Sequence, residues 1–193
     1  MQNIKENILG YFKESSDLKV KLQSDDGFIE SVVKATEIIQ EALHKGNKFL
    51  TAGNGGSAAD AQHFATEFTG RFKRLRKAYP AIALTTDTSF LTAWSNDSSF
   101  DEVFERQIEA LGKEGDVFFG ISTSGNSKNI LRGIEAAKKL NMKTIALLGR
   151  DGGATKGKAD IEIVVPSNDT PRIQEVHILV IHSICEEIEK TFA

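Results

Sequence analysis

Residues 48–70 read KFLTAGNGGSAADAQHFATEFTG, and the order of residue types in this stretch decides the fold. Phe49 to Ala52 is an apolar run of strand length, and Gly53-Asn54-Gly55-Gly56-Ser57 is a turn. Ala, Gln, Phe and Glu then recur at helical spacing. A strand, a glycine turn and a helix start thus follow one another. The glycines permit positive φ and close approach to bare backbone. Ser57 stands where an N-cap hydroxyl would join unpaired helix amides, a place that favours anions. His63 and Glu67, four apart, share one face of that helix further along. This sets a nitrogen ligand and a base near an anion cradle. The same spacing also describes an ordinary surface pair contributing roughly 0.2–0.5 kcal/mol. Gly53-x-Gly55-x-x-Ala58 fits a loose dinucleotide fingerprint as well, which expects an acidic residue about 20 positions on. The sequence there is basic, and Asp87 comes much later.

The flanking chain repeats the alternation. Residues 3–45 are expected to form two helices broken at Ser24-Asp25-Asp26-Gly27. Ile4, Ile8, Leu9 and Phe12, then Phe28, Val32, Val33, Ile38, Ile39 and Leu43, recur at helical spacing in them. Further strands are expected at Ala81–Leu84, Asp116–Ile121, Thr144–Leu148 and Ile161–Val165. Helices are expected through Phe90, Leu91 and Trp94, over Phe100–Leu111 and Ile130–Leu140, and over Pro171–Glu189. Strands alternating with helices imply an α/β fold: a parallel sheet covered on both faces, with ligands at the carboxyl ends of the strands. No Pro-, Gly- or Ser-rich linker interrupts the pattern, so residues 1–193 are expected as one domain. Residues 1–45 would be an arm whose apolar stripes pack on another subunit. The run RFKRLRK, Arg71 to Lys77, is the one dense basic cluster, either a solvated loop or a subunit or ligand contact.

With 193 residues, 40% hydrophobic and 26% charged, the chain has enough material for a sizeable core. A net charge of −3 argues against a general nucleic-acid coat. The lone Cys185 excludes an internal disulfide and reads as a buried apolar side chain. The longest apolar run, Val176 to Cys185, is broken by His177, His182 and Ser183 and is too short to span a bilayer. No leader pattern stands at the N-terminus, so the cytoplasm is the expected location and no membrane partner is expected.

The third strand runs into Ser122-Thr123-Ser124-Gly125-Asn126-Ser127 ahead of a helix. Three hydroxyl-bearing side chains before the glycine, a fourth after it, and the helix dipole suit a dianion without a lysine. A Walker loop would carry Gly-Lys-Ser or Gly-Lys-Thr, so nucleoside triphosphate chemistry is not indicated.

Taken with the helix after strand five, these two loops resemble the SIS (sugar isomerase) domain family, and within it the phosphoheptose isomerases. The resemblance covers nearly the whole chain. It is carried by AGNGGSAADAQHFATEFTGRF, WSNDSSFDEVFERQIEALGKEGDVFFGISTSGNSKNI, LLGRDGG and RIQEVHILVIH. It implies a three-layer sandwich with a five-stranded parallel sheet and an N-terminal helical pair. It also implies interconversion of D-sedoheptulose 7-phosphate and D-glycero-D-manno-heptose 7-phosphate, the opening step of nucleotide-activated heptose synthesis for lipopolysaccharide or capsule.

By that resemblance Ser122, Thr123, Ser124 and Ser127 hold the phosphate with help from Ser57. Asn54, Gly55, Gly56, Asn96 and Asp97 contact the sugar, as do Glu67 and Gln174. Glu67 and His182 are the acid/base pair. One zinc ion per subunit is bound by His63, Glu67, Gln174 and His182, in a homotetramer. Gln174 and His182 are eight apart, about 12 Å along a helix axis, whereas zinc bonds are only about 2 Å. Either His182 or Gln174 is therefore expected from a neighbouring subunit. His177, between them, is read as a bystander. A non-catalytic SIS adaptor of the replication-initiator-associating type is the alternative; it predicts loss of the acid/base pair, and both residues are present.

Overall fold

A computed structural model describes residues 3–191. Helices α1 (Ile4–Gln23) and α2 (Asp26–His44) come first, and β1 (Phe49–Ala52) and α3 (Gly56–Thr69) follow. Then come β2 (Ala81–Ala83), α4 (Thr88–Asp97), α5 (Val103–Leu111) and β3 (Val117–Ser122). The chain continues through α6 (Lys128–Lys139), β4 (Lys143–Gly149), β5 (Ile161–Val165) and α7 (Thr170–Thr191). Caps explain several starts: Asn3 accepts from Lys5 N at 3.1 Å, Asp25 from Phe28 N at 3.0 Å and Asp87 from Phe90 N at 2.9 Å. Asp87, the acidic residue weighed for a dinucleotide fingerprint, is thus the cap of α4.

The five strands are parallel in the order β2-β1-β3-β4-β5. This arrangement matches the expected α/β sandwich. Every residue of β1 and β3 is buried, as a sheet covered on both faces requires. On one face Phe49, Phe64, Phe68 and Phe119 pack with Ile173, Val180 and Ile184, so α2, α3 and α7 form that layer. On the other, Leu50 and Phe118 pack with Phe104, Ile108, Ile130 and Ile134 of α5 and α6. Ile4 and Phe12 of α1 are both 73% exposed, an apolar stripe left uncovered by the described residues.

The basic run is an exposed loop whose backbone is tied down by a single buried carboxylate. Phe72, Lys73 and Arg74 donate backbone N–H groups to the carboxylate of Glu189 at 3.2, 2.9 and 3.1 Å. Arg76 lies 3.6 Å from the same carboxylate, with side chains 6% and 4% exposed. Burial alone would push the Glu189 carboxyl up, but the three backbone donors and Arg76 hold it below the usual carboxylate range. Glu189→Gln keeps the shape but leaves the Arg76 cation buried without its counter-charge. It is expected to lower unfolding free energy by about 3 kcal/mol, read from urea midpoints.

Candidate active site

Gly55 takes φ 56° and is the N-cap position of α3, so the helix opens at Gly56. Ser57 was expected as the cap; it lies instead inside the first turn, 4% exposed. The reason is local, since the left-handed glycine turns the chain two residues earlier than a serine cap would. Ser57 still sits among the first amides of α3.

The serine loop leaves β3 beside it. Ser122 Oγ and Ser127 Oγ are 2.9 Å apart, and Ser124 Oγ accepts from Asn126 N at 3.1 Å. Ser127 caps α6 by position, and Thr123 is half-buried. The segment after β4 clasps this loop from outside. Thr155 donates both its N–H (2.9 Å) and its hydroxyl (2.8 Å) to Gly125 O, and Ala154 N–H donates to Asn126 Oδ1 at 2.9 Å. The motif Leu147 to Gly153 thereby gains a role that its sequence does not announce: it leads into the clasp that shapes the serine loop.

Helix α7 links this end of the site to the other. Ile173 packs where Gly149 closes on Thr123 O, and His177 donates from Nε2 to Leu148 O at 3.1 Å. Gln174 lies against the start of α3, its Nε2 2.2 Å from where a Cβ on Gly56 would stand. Two turns further, His182 Nε2 is 3.4 Å from His63 Nε2, and His63 Nε2 donates to Glu67 Oε1 at 2.9 Å. Phe72 backs the His182 ring at 5.7 Å between centroids. The Glu67 side chain is 14% exposed and that of His63 43%.

Within one chain, then, His63, Glu67 and His182 meet, and Gln174 stands about 12 Å away along α7. Expecting His182 from elsewhere is unnecessary, because α3 and α7 run side by side in one direction and step together. Among the described residues, no three His, Cys, Asp or Glu side chains form a metal-holding group. Asn96 donates to Asp97 Oδ1 at 2.9 Å at the exposed end of α4, outside the hydrogen bonds that join the two loops.

Sequence reasoning missed Asp60. Its Oδ2 is buried without a partner, and burial, partly offset by His63, raises its carboxyl above the usual range. Its place three residues before His63 was the available signal.

His177 has no part in the constellation. Burial lowers its imidazole to about 4, so the fold requires a neutral ring. Between the ordinary value of 6.5 and about 4 the unfolded chain binds the extra proton. Stability from this group is complete above that window and declines with falling pH by up to about 1.4 kcal/mol per unit within it. His177→Gln is expected to flatten that decline in urea midpoints taken from neutral pH downwards.

A five-stranded parallel sheet between helical layers, with a glycine loop and a serine loop at the carboxyl ends of β1 and β3, is the architecture of a SIS domain, and the SIS domain family model matches residues 10–149. The phosphoheptose isomerase of Aliarcobacter butzleri is 59% identical over 160 residues, covering 83% of this chain and 85% of that protein. The phosphoheptose isomerase of Clostridium acetobutylicum is 50% identical over 187 residues, 97% of this chain and 95% of that one. The solved structure of phosphoheptose isomerase GmhA from Neisseria gonorrhoeae superposes with a TM-score of 0.91 at 46% identity, covering 97% of this chain and all of the other. The chain belongs to the phosphoheptose isomerase family.

Proposed function

We propose that this protein converts D-sedoheptulose 7-phosphate to D-glycero-D-manno-heptose 7-phosphate, with Glu67 and His182 as the acid/base pair. The observation that carries the reading is the meeting of His63, Glu67 and His182 at one end of a site whose other end is a hydroxyl-lined loop at a helix start. From Ile173 beneath that loop to His182 is about 13 Å along α7, which favours a long sugar phosphate over a triose.

In the reaction the phosphate is gripped by Ser122, Thr123, Ser124 and Ser127 with Ser57. Asn54, Gly55, Gly56, Asn96, Asp97 and Gln174 line the sugar. Glu67 removes a proton from carbon 1, the carbon 2 carbonyl oxygen takes a proton from His182, and an enediol results. Deprotonation of the oxygen on carbon 1 and return of a proton to carbon 2 give the aldose. A half-buried carboxylate and an imidazole suit these transfers near neutral pH. An isomerisation assay with sedoheptulose 7-phosphate beside fructose 6-phosphate is expected to show turnover of the heptulose alone. Turnover of only the hexose would replace this reading with that of another phosphosugar isomerase.

The reading includes one zinc ion per subunit at His63, Glu67, His182 and Gln174. What supports it is the donor set: two imidazoles and a carboxylate meet here, and His63, Glu67 and His182 would hold the ion in place of the hydrogen bonds they now make with one another. Bound there, zinc would polarise the substrate carbonyl. Gln174 of the same chain stands at Gly56, so the reading keeps the notion that a neighbouring subunit completes the ligand set. Elemental analysis finding no zinc in the purified protein would remove the ion from this account.

We read the whole chain as one domain acting in a cytoplasmic homotetramer, with residues 1–45 as the assembly arm. The exposed stripe on α1 supports this, as does an apolar groove of about 400 Å³ between α1, α2 and α7, lined by Leu22, Phe28, Val32, Leu179 and Val180. No helix among the described residues is long and apolar enough to cross a membrane. Mixing Glu67→Gln with Gln174→Ala subunits tests the shared site. Recovered activity is expected, and none despite verified exchange would count against it.

A further inference from the structure

Asn129 is the second residue of α6 and is 3% exposed. Both halves of its amide engage one partner: Nδ2 donates to Asn54 Oδ1 at 2.9 Å, and Oδ1 accepts from Asn54 Nδ2 at 2.9 Å. Asn54 belongs to the glycine loop after β1, and Asn129 follows the serine loop after β3. These strands are neighbours in the sheet, with Ala52 opposite Gly120. The amide pair therefore bridges the two ligand loops at adjacent strand ends, across 75 residues of sequence.

A reciprocal pair fixes both amide planes, because rotating either side chain breaks two hydrogen bonds at once. Asn129 is buried, so water does not replace them, and a lost partner leaves a desolvated amide. An amide has two N–H donors and two carbonyl lone pairs. The pairing uses one of each, which leaves a second donor and lone pair on the half-buried Asn54 with a set direction.

We propose that Asn129 is a positioning residue for the isomerisation. It holds the glycine loop and the serine loop at a fixed separation and aims the unused amide edge of Asn54 at a sugar hydroxyl. The inference rests on the reading of Asn54 as a sugar contact.

The test is a double-mutant cycle on kcat/KM for sedoheptulose 7-phosphate, with urea midpoints recorded for every variant. Asn54→Ala and Asn129→Ala are each expected to lose about tenfold in kcat/KM, the size of one or two hydrogen bonds. The double variant is expected to lose no more than the worse single, since both changes remove the same interaction. Asn129→Asp keeps the volume and one acceptor for Asn54, so it is expected to fall between wild type and Asn129→Ala; it takes the place of Asn129→Ala in the cycle if the alanine variant does not fold. Losses that multiply in the double variant overturn the proposal. So does an Asn129 variant that is less stable in urea yet unchanged in kcat/KM while Asn54→Ala is impaired; in that case the sugar contact stands without its support. An unimpaired Asn54→Ala removes the sugar contact itself, and the positioning role with it.

Discussion

Glu67→Gln is expected to lower kcat by about two to four orders of magnitude, a far larger effect than any on KM, while moving stability little. The amide has the volume of the carboxylate and keeps an oxygen to accept from His63, now 2.9 Å away, so the packing of α3 on α7 survives. What it loses is the basicity needed to take a proton from carbon. That pattern is the signature of an interaction made in the transition state rather than in binding. His182→Ala belongs to the same class, with a further loss of packing against Phe72. Steady-state kinetics of both variants, with circular dichroism as the control for folding, measure this directly.

Gly125→Ala is expected to damage the opposite end of the site. Gly125 has φ 65°, where an L side chain costs about 1–2 kcal/mol. A Cβ there would stand 2.0 Å from Gly152 O, a backbone atom that cannot swing aside. Since Thr155 N–H and hydroxyl both donate to Gly125 O, relieving the clash opens the clasp that shapes the serine loop. KM is expected to rise at least tenfold, roughly the effect of one or two phosphate hydrogen bonds, with a smaller change in kcat. The melting temperature falls as well. A variant with melting lowered but KM unchanged would show that the serine loop does not grip the phosphate.

Much of this was legible in the sequence because the strands are short, apolar and buried on both sides. The expected runs at 49–52 and 161–165 coincide with β1 and β5; β2 differs by one residue at one end, and β3 and β4 by one residue at each end. The break between the first two helices was placed at Ser24 to Gly27, and the capping side chain of Asp25 draws Asp26 and Gly27 into α2. Contacts between distant residues were not legible. Nothing in the sequence links Glu189 to the backbone of residues 72–74, Thr155 to Gly125, or Asn129 to Asn54, since each depends on which layers the sheet brings together. The spacing of Gln174 and His182 sets the two apart along one helix. It did not reveal which of them joins His63, because that is set by the register of α3 against α7.

The claim on which the account rests is that the Glu67 carboxylate carries the proton between carbons 1 and 2. Isomerisation in heavy water, followed by deuterium appearing at carbon 2 of the heptose 7-phosphate, measures that transfer. The unaltered protein is predicted to incorporate deuterium as it turns over, and Glu67→Gln at least about 100-fold more slowly. Equal rates of deuterium incorporation in the two proteins would contradict it.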